Sequence, residues 1–97
     1  MDLNALMRQA QKMKNDLEKT QKELESTVYE GSSNGIVIKV NGKCEAQEVN
    51  IPEELMDDRE MLQDMILIAF NEAVANVEKD REDKLGAATN GLNIPGM

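Results

Sequence analysis

Five polar side chains near the start of the chain have the types and the spacing needed to contact phosphate groups. They lie four, three, four and three residues apart: Arg8, Lys12, Asn15, Lys19 and Lys22. On a helix this spacing places all of them on one face, which we call the basic stripe. Such a row of cations could bind the phosphates of a nucleic acid. The alternative is a solvated face held by ion pairs between positions i and i+4, such as Glu18–Lys22.

The distribution of charge along the chain confines any contact with a polyanion to its beginning. The 97 residues carry a net charge of −8. Residues 1–22 contain five basic and three acidic side chains, whereas residues 27–97 contain six basic and fourteen acidic ones. An acidic surface repels nucleic acid and anionic membranes. The only other basic group, Lys79, Arg81 and Lys84, is interspersed with acidic residues.

The side chains that most enzymes and metal sites use are scarce. The chain has no histidine, the usual general base and the commonest metal ligand, and it has one cysteine, Cys44. Without histidine Cys44 cannot form a Cys–His nucleophile, so we interpret it as structural. The acidic run from Glu53 to Glu60 lacks the alternating order of a calcium loop and is explained better by the start of a helix. We predict no catalysis, no cofactor, no metal ion and no small-molecule substrate.

The composition also predicts a single cytoplasmic domain over residues 1–97. One cysteine excludes an intrachain disulfide, and no signal peptide is recognisable. The most apolar run, residues 65–70, is far shorter than the about 20 residues that a membrane span requires. We therefore expect no membrane partner.

The elements that position the basic stripe are predicted to be a helix, a sheet and a second helix. Residues 1–26 contain no glycine or proline and have an apolar heptad seam through Leu3, Leu17 and Leu24, which predicts a long helix from residue 2. Residues 27–51 predict a three-stranded antiparallel meander, with a turn at 30–35, a two-residue hairpin turn at Asn41-Gly42 and a third strand from Cys44. Residues 53–84 predict a second long helical region, and residues 85–97, which contain three glycines and a proline, predict an irregular tail.

Within the second helix, the run from Met65 to Phe70 is apolar around the whole circumference. A helix of this kind is normally buried on all sides, and 97 residues supply too little material to surround it. One face is expected to lie on the sheet of the same chain. A stripe that recurs every four residues marks a helix face of this kind: Met61, Met65, Ala69, Ala73 and Val77. We predict that a second copy of the chain covers another face, which includes Leu67 and Ile68.

The order of these segments resembles the YbaB/EbfC family of bacterial nucleoid-associated proteins. Residues 6–13, LMRQAQKM, resemble the opening LMxQAQxM of that family. The segment DREMLQD at 58–64, followed by AFNEA at 69–73, resembles its EMLEDL…AxNDA helix. The closing GLNIPG at 91–96 resembles GLxxPG. Glu30-Gly31 and Asn41-Gly42 fall where the family has its loop and its hairpin.

This resemblance implies an α+β fold that assembles as a tweezer-like homodimer, with helices projecting as prongs from a central body. It also implies a nucleoid-associated protein of the bacterial cytoplasm that binds double-stranded DNA, with a role in nucleoid organisation or gene regulation. The candidate DNA-binding residues are then those of the basic stripe: Arg8, Lys12, Asn15, Lys19 and Lys22. The alternative function is a protein–protein interaction module whose N-terminal heptad seam recruits another helix.

Overall fold

Two long helices and a three-stranded sheet make up the chain, as a computed structural model describes it for residues 2–89. The elements, in chain order, are α1 (Leu3–Ser26), β1 (Val28–Ser33), β2 (Ile36–Asn41), β3 (Ala46–Asn50), a 3₁₀ turn (Glu53–Leu55) and α2 (Arg59–Thr89). The strands form one antiparallel sheet in the order β1-β2-β3. This arrangement confirms the predicted α+β class and the meander. Among residues 2–89, no helix has a stretch both long and apolar enough to cross a membrane.

Helix α1 is attached to the rest of the chain at its C-terminal end only. It begins after Asp2, whose carboxylate accepts a hydrogen bond of 3.0 Å from the backbone N–H of Asn4. The side chain of Leu3 is 73% exposed, whereas that of Leu24 is 2% exposed and belongs to the core. At about 1.5 Å per residue the helix is roughly 36 Å long. Its N-terminal part therefore projects away from the sheet.

Helix α2 packs across β1 and β2 through a row of small side chains. Ala69, Ala73 and Val77 are buried, and they meet the inward side chains of the sheet, among them Ile38 and Val40. Close approach is possible because Gly31, in β1, has no side chain: a Cβ atom there would overlap the backbone of Ala69 and Ala73. The core is small and consists of aliphatic side chains together with Tyr29.

The direction of α2 follows from two contacts with β1. Tyr29, at the start of β1, donates a hydrogen bond of 2.5 Å to Asp80, and Ser33, at its end, lies 3.0 Å from the sulfur of Met65. Helix α2 therefore runs antiparallel to β1. Its last residues pass beyond the start of β1, on the side from which α1 enters the sheet, and α1 packs against α2. The two helices project on the same side of the sheet.

Three boundaries differ from the sequence-based prediction. Strand β1 continues to Ser33, because residues 30–33 pair with β2, and the turn is limited to Asn34-Gly35 with φ of 48° and 91°. The second hairpin is longer than the predicted Asn41-Gly42 turn, since the Asn41 side chain accepts hydrogen bonds from the backbone N–H groups of Lys43 and Glu45. Because of this longer loop, the third strand begins at Ala46 and not at Cys44 as predicted.

The predicted helical region 53–84 is also divided differently. A 3₁₀ turn occupies Glu53–Leu55, and α2 begins only at Arg59. Helix α2 then continues to Thr89, so residues 85–89 of the predicted tail are helical. One glycine in a helix, here Gly86, costs only about 1 kcal/mol, and the leucine and alanines around it favour helix. The rest of the predicted tail, residues 90–97, lies outside the described residues.

The contact between Tyr29 and Asp80 makes stability depend on pH in the alkaline range. Burial and the hydrogen bond to Asp80 raise the pKa of Tyr29 from 10.0 to about 12. Between these values the unfolded chain releases the proton first, so stability falls as the pH rises. The prediction is tested by urea unfolding at about pH 9 and about pH 11.5. Between these two pH values the free energy of unfolding should fall by roughly 2 kcal/mol more in the wild type than in Tyr29→Phe. Equal losses in the two proteins would contradict this role of Tyr29.

Candidate nucleic-acid interface

The basic stripe lies on the outward surface of α1. Arg8, Lys12, Asn15, Lys19 and Lys22 are all exposed. They fall within about 80° of one another around the helix and span roughly 21 Å along it, at 3.6 residues and 5.4 Å per turn. The apolar seam lies on the opposite side, where Met13, Leu17 and Thr20 are half-buried and Leu24 is buried. The structure thus brings the predicted residues together on one exposed face.

None of the basic side chains of α1 forms an ion pair with any other residue between 2 and 86. The Glu18–Lys22 pair, expected if the stripe were merely a solvated face, is not formed. Arg8 only approaches the carbonyl oxygen of Asn4, at 3.4 Å. The side-chain oxygen of Asn15 accepts a hydrogen bond of 3.2 Å from Gln11, which leaves its amide free to donate. The basic side chains of the stripe are therefore exposed to the solvent and not held in ion pairs.

Three of the six basic side chains outside α1 form ion pairs among the described residues. Lys39 lies between Glu30 and Glu48, at 3.6 and 3.4 Å, and Lys43 is 4.0 Å from Glu25. These lysines belong to residues 27–89, which we call the acidic body. Because they are paired with carboxylates, they are not available to bind a ligand.

The second basic group of the sequence, at the end of α2, is largely occupied in the same way. Arg81 donates a hydrogen bond of 2.7 Å to the carbonyl oxygen of Gly42, and Lys84 is 3.0 Å from Asp80. Hydrogen bonds from Tyr29 and Lys84 keep the pKa of Asp80 below its usual value, so Asp80 stays ionised. Among the described residues Lys79 has no ion pair, and Arg81 has the hydrogen bond to Gly42 but no ion pair. The group is a weaker candidate for phosphate contact than α1.

Lys14, counted above among the five basic side chains of residues 1–22, lies outside the basic stripe. This side chain is also on α1, exposed, and without an ion pair among the described residues. It lies about 120° around the helix from the centre of the stripe, so the four-and-three spacing does not include it. Lys14 is therefore a further exposed cation of α1.

The structure also shows an apolar surface on α2. Leu67 is 60% exposed and Ile68 is 49% exposed, although both belong to the run that was predicted to be buried on all sides. Within one chain only the face with Ala69 and Ala73 is buried. Leu67 and Ile68 thus form an exposed apolar surface on the single chain.

The other residues considered for chemistry are not arranged for it. Between residues 2 and 89, no three acidic or cysteine side chains converge where they could hold a metal ion. Cys44 is half-buried against the core cluster, in the loop after β2 with φ of 62°. Its position agrees with a packing role.

Known proteins resemble this chain over nearly its whole length. A family model described as the YbaB/EbfC DNA-binding family matches residues 1–92. A nucleoid-associated protein of Alkaliphilus metalliredigens is 44% identical over 99% of this chain and 88% of the relative. A nucleoid-associated protein of Clostridium novyi is 42% identical over 100% of this chain and 89% of the relative.

One solved structure agrees with the fold described above. It is the crystal structure of an uncharacterized protein from Helicobacter pylori, whose sequence is 25% identical to this chain. The match covers 96% of this chain and 99% of the Helicobacter pylori chain. The TM-score of 0.74 shows that the two chains share a fold. With a family model over residues 1–92 and relatives above 40% identity, the chain belongs to the YbaB/EbfC DNA-binding family.

Proposed function

We propose that this chain binds double-stranded DNA as a homodimer, through the basic stripe of α1, and acts in the organisation of the bacterial nucleoid or in gene regulation. One observation carries the proposal. The basic side chains of α1 are exposed and unpaired, while most of those on the acidic body are held by neighbours. The names of the relatives, which are nucleoid-associated proteins, support the cellular setting.

The arrangement suits the phosphates of a duplex better than single strands. Single-strand binding usually relies on aromatic side chains on which bases stack. Here the two aromatic residues are Tyr29, which is buried, and Phe70, which is half-buried against the core. Phosphate contacts position a protein on DNA without reading its sequence. We therefore expect similar affinities for duplexes of different sequence.

Dimerisation is part of the proposal because a single chain has a thin core and leaves large apolar side chains of α2 exposed. The radius of gyration is 19.3 Å, whereas a compact domain of this size has about 13 Å. The chain extends over 70 × 29 × 13 Å, so its core is thin. The exposed Leu67 and Ile68 supply the apolar surface that a second copy would cover.

Replacement of Leu67 by aspartate is expected to convert the dimer into a folded monomer. In one chain the side chain is more than half exposed, so the charge is tolerated there, but burying it unpaired in an interface costs several kcal/mol. Sedimentation velocity at micromolar concentration should show a wild-type dimer and a monomeric Leu67→Asp variant. Leu3→Asp, the same change at an exposed position of α1, should stay dimeric. A well-folded wild-type monomer would refute the dimer.

The alternative function, recruitment of another helix by the heptad seam, is favoured by the exposure of Leu3 and Leu6 at the outer end of α1. Salt separates the two functions. Phosphate binding releases counterions, so its affinity falls steeply with salt, by a slope of about 0.9 in log K for each phosphate contact. Apolar docking lacks this dependence. Anisotropy titrations of a labelled duplex at about 50 and about 200 mM salt should show a large loss of affinity. No measurable duplex binding at low salt would refute the proposal.

A further inference from the structure

We infer that the outer half of α1, residues 3–14, makes most of the contact with DNA, and that the inner half, residues 15–26, is a spacer. This inference rests on the proposed function and divides its surface into a contacting part and a supporting part. In this division the principal phosphate contacts are made by Arg8, Lys12 and also Lys14, which lies outside the stripe. Lys19 and Lys22 share the face of the stripe but contribute little.

The first argument is the charge of each half. Residues 3–14 contain three basic side chains and no acidic one, which gives +3. Residues 15–26 contain two basic side chains and four acidic ones, which gives −2. The acids of the inner half lie on both sides of the stripe, because Asp16 and Glu23 fall about 60–80° to one side and Glu18 and Glu25 about 80–100° to the other. Lys19 and Lys22 therefore have carboxylates on both flanks, whereas Lys12 has a single acidic neighbour, Asp16 at i+4, and Arg8 has none within one turn.

The second argument is distance from the acidic body. Counted along the helix from the buried Leu24, Lys22 is about 3 Å and Lys19 about 8 Å away, whereas Lys12 is about 18 Å and Arg8 about 24 Å away. The Debye length at physiological ionic strength is about 8 Å. The inner lysines thus lie within one screening length of the body, whereas Lys12 and Arg8 lie more than two lengths from it and Lys14 lies about 15 Å from it.

A matched pair of charge reversals tests this division. Arg8→Glu/Lys12→Glu and Lys19→Glu/Lys22→Glu change the net charge by the same amount, on the same face of the same helix. Binding of a fluorescein-labelled duplex of mixed sequence is measured by anisotropy at about 50 mM salt. The outer variant should raise Kd at least about tenfold more than the inner variant, a difference of roughly 1.4 kcal/mol. The outer variant should also reduce the salt slope by about two contacts per chain.

Each result bears on a different claim. Equal losses in the two variants, within about threefold, would overturn the division while leaving DNA binding by the stripe in place. Binding unchanged in both variants would overturn the proposed function itself. Circular dichroism and sedimentation establish that both variants are folded and have the oligomeric state of the wild type. Arg8→Gln/Lys12→Gln and Lys19→Gln/Lys22→Gln repeat the comparison without added negative charge, and the outer pair should again lose more affinity.

Discussion

Alanine at position 31 is expected to destabilise the fold by about 3 kcal/mol, because the added methyl group has no space. The overlapping atoms belong to the backbone of α2, at Ala69 and Ala73, so no side-chain rotation relieves the clash. Helix α2 would have to lift from β1 and expose part of a core that is already small. Against a total stability of about 5–15 kcal/mol, the loss is large. Urea unfolding followed by circular dichroism measures it.

Gly86→Ala is the matched control for this substitution. The same methyl group at Gly86 meets no atom within 4 Å, and the position lies inside α2. Alanine there should stabilise the helix by up to about 1 kcal/mol. If Gly31→Ala were as stable as the wild type, the close packing of α2 on β1 described here would be wrong.

Reversal of Lys12 and Lys19 to glutamate is expected nearly to abolish duplex binding. Both side chains are exposed on the face opposite the seam, so the fold and the dimer should survive. Each chain loses its positive charge at two positions of the stripe and gains two negative charges there. The effect should be similar for duplexes of different sequence, because phosphate contacts do not read bases. Anisotropy at low salt measures the affinity.

The control for this variant carries the same charge change at another place. Arg59→Glu/Lys79→Glu reverses two bases of α2 that have no ion pair among the described residues. General repulsion between DNA and a more acidic protein would weaken both variants alike. A contact through α1 weakens only Lys12→Glu/Lys19→Glu. A folded dimer of that variant with wild-type affinity would show that the stripe is a solvated face.

The sequence was informative where a local pattern decides the structure. The absence of glycine and proline before residue 27 placed α1 within one residue of its start at Leu3. The alternation from Ile36 to Val40 located β2, and its inward side chains are buried as expected. The spacing of four through Ala69, Ala73 and Val77 identified the buried face of α2. Met61 has the same spacing but its side chain is exposed. The apolar stripe of the sequence is therefore longer than the buried face of α2.

Other features depend on contacts between distant parts of the chain and could not be predicted. The length of β1 is set by its pairing with β2, not by the residues Glu30 to Ser33, which individually favour a turn. The need for glycine at position 31 arises only when α2 lies against β1. The difference between paired and unpaired lysines likewise requires the fold, since Lys39 and Lys43 meet their carboxylates across strands or between elements.

The most direct test of the central claim is lysine footprinting with and without duplex DNA. Surface lysines are acetylated under limiting conditions, and mass spectrometry measures the modification of each residue. Binding through α1 predicts that DNA protects the lysines of this helix, most strongly Lys12 and Lys14. Lys39, Lys43, Lys79 and Lys84 should be modified equally in both samples. Protection of Lys79 and Lys84 with no change on α1 would contradict the account and place the DNA-binding surface at the end of α2.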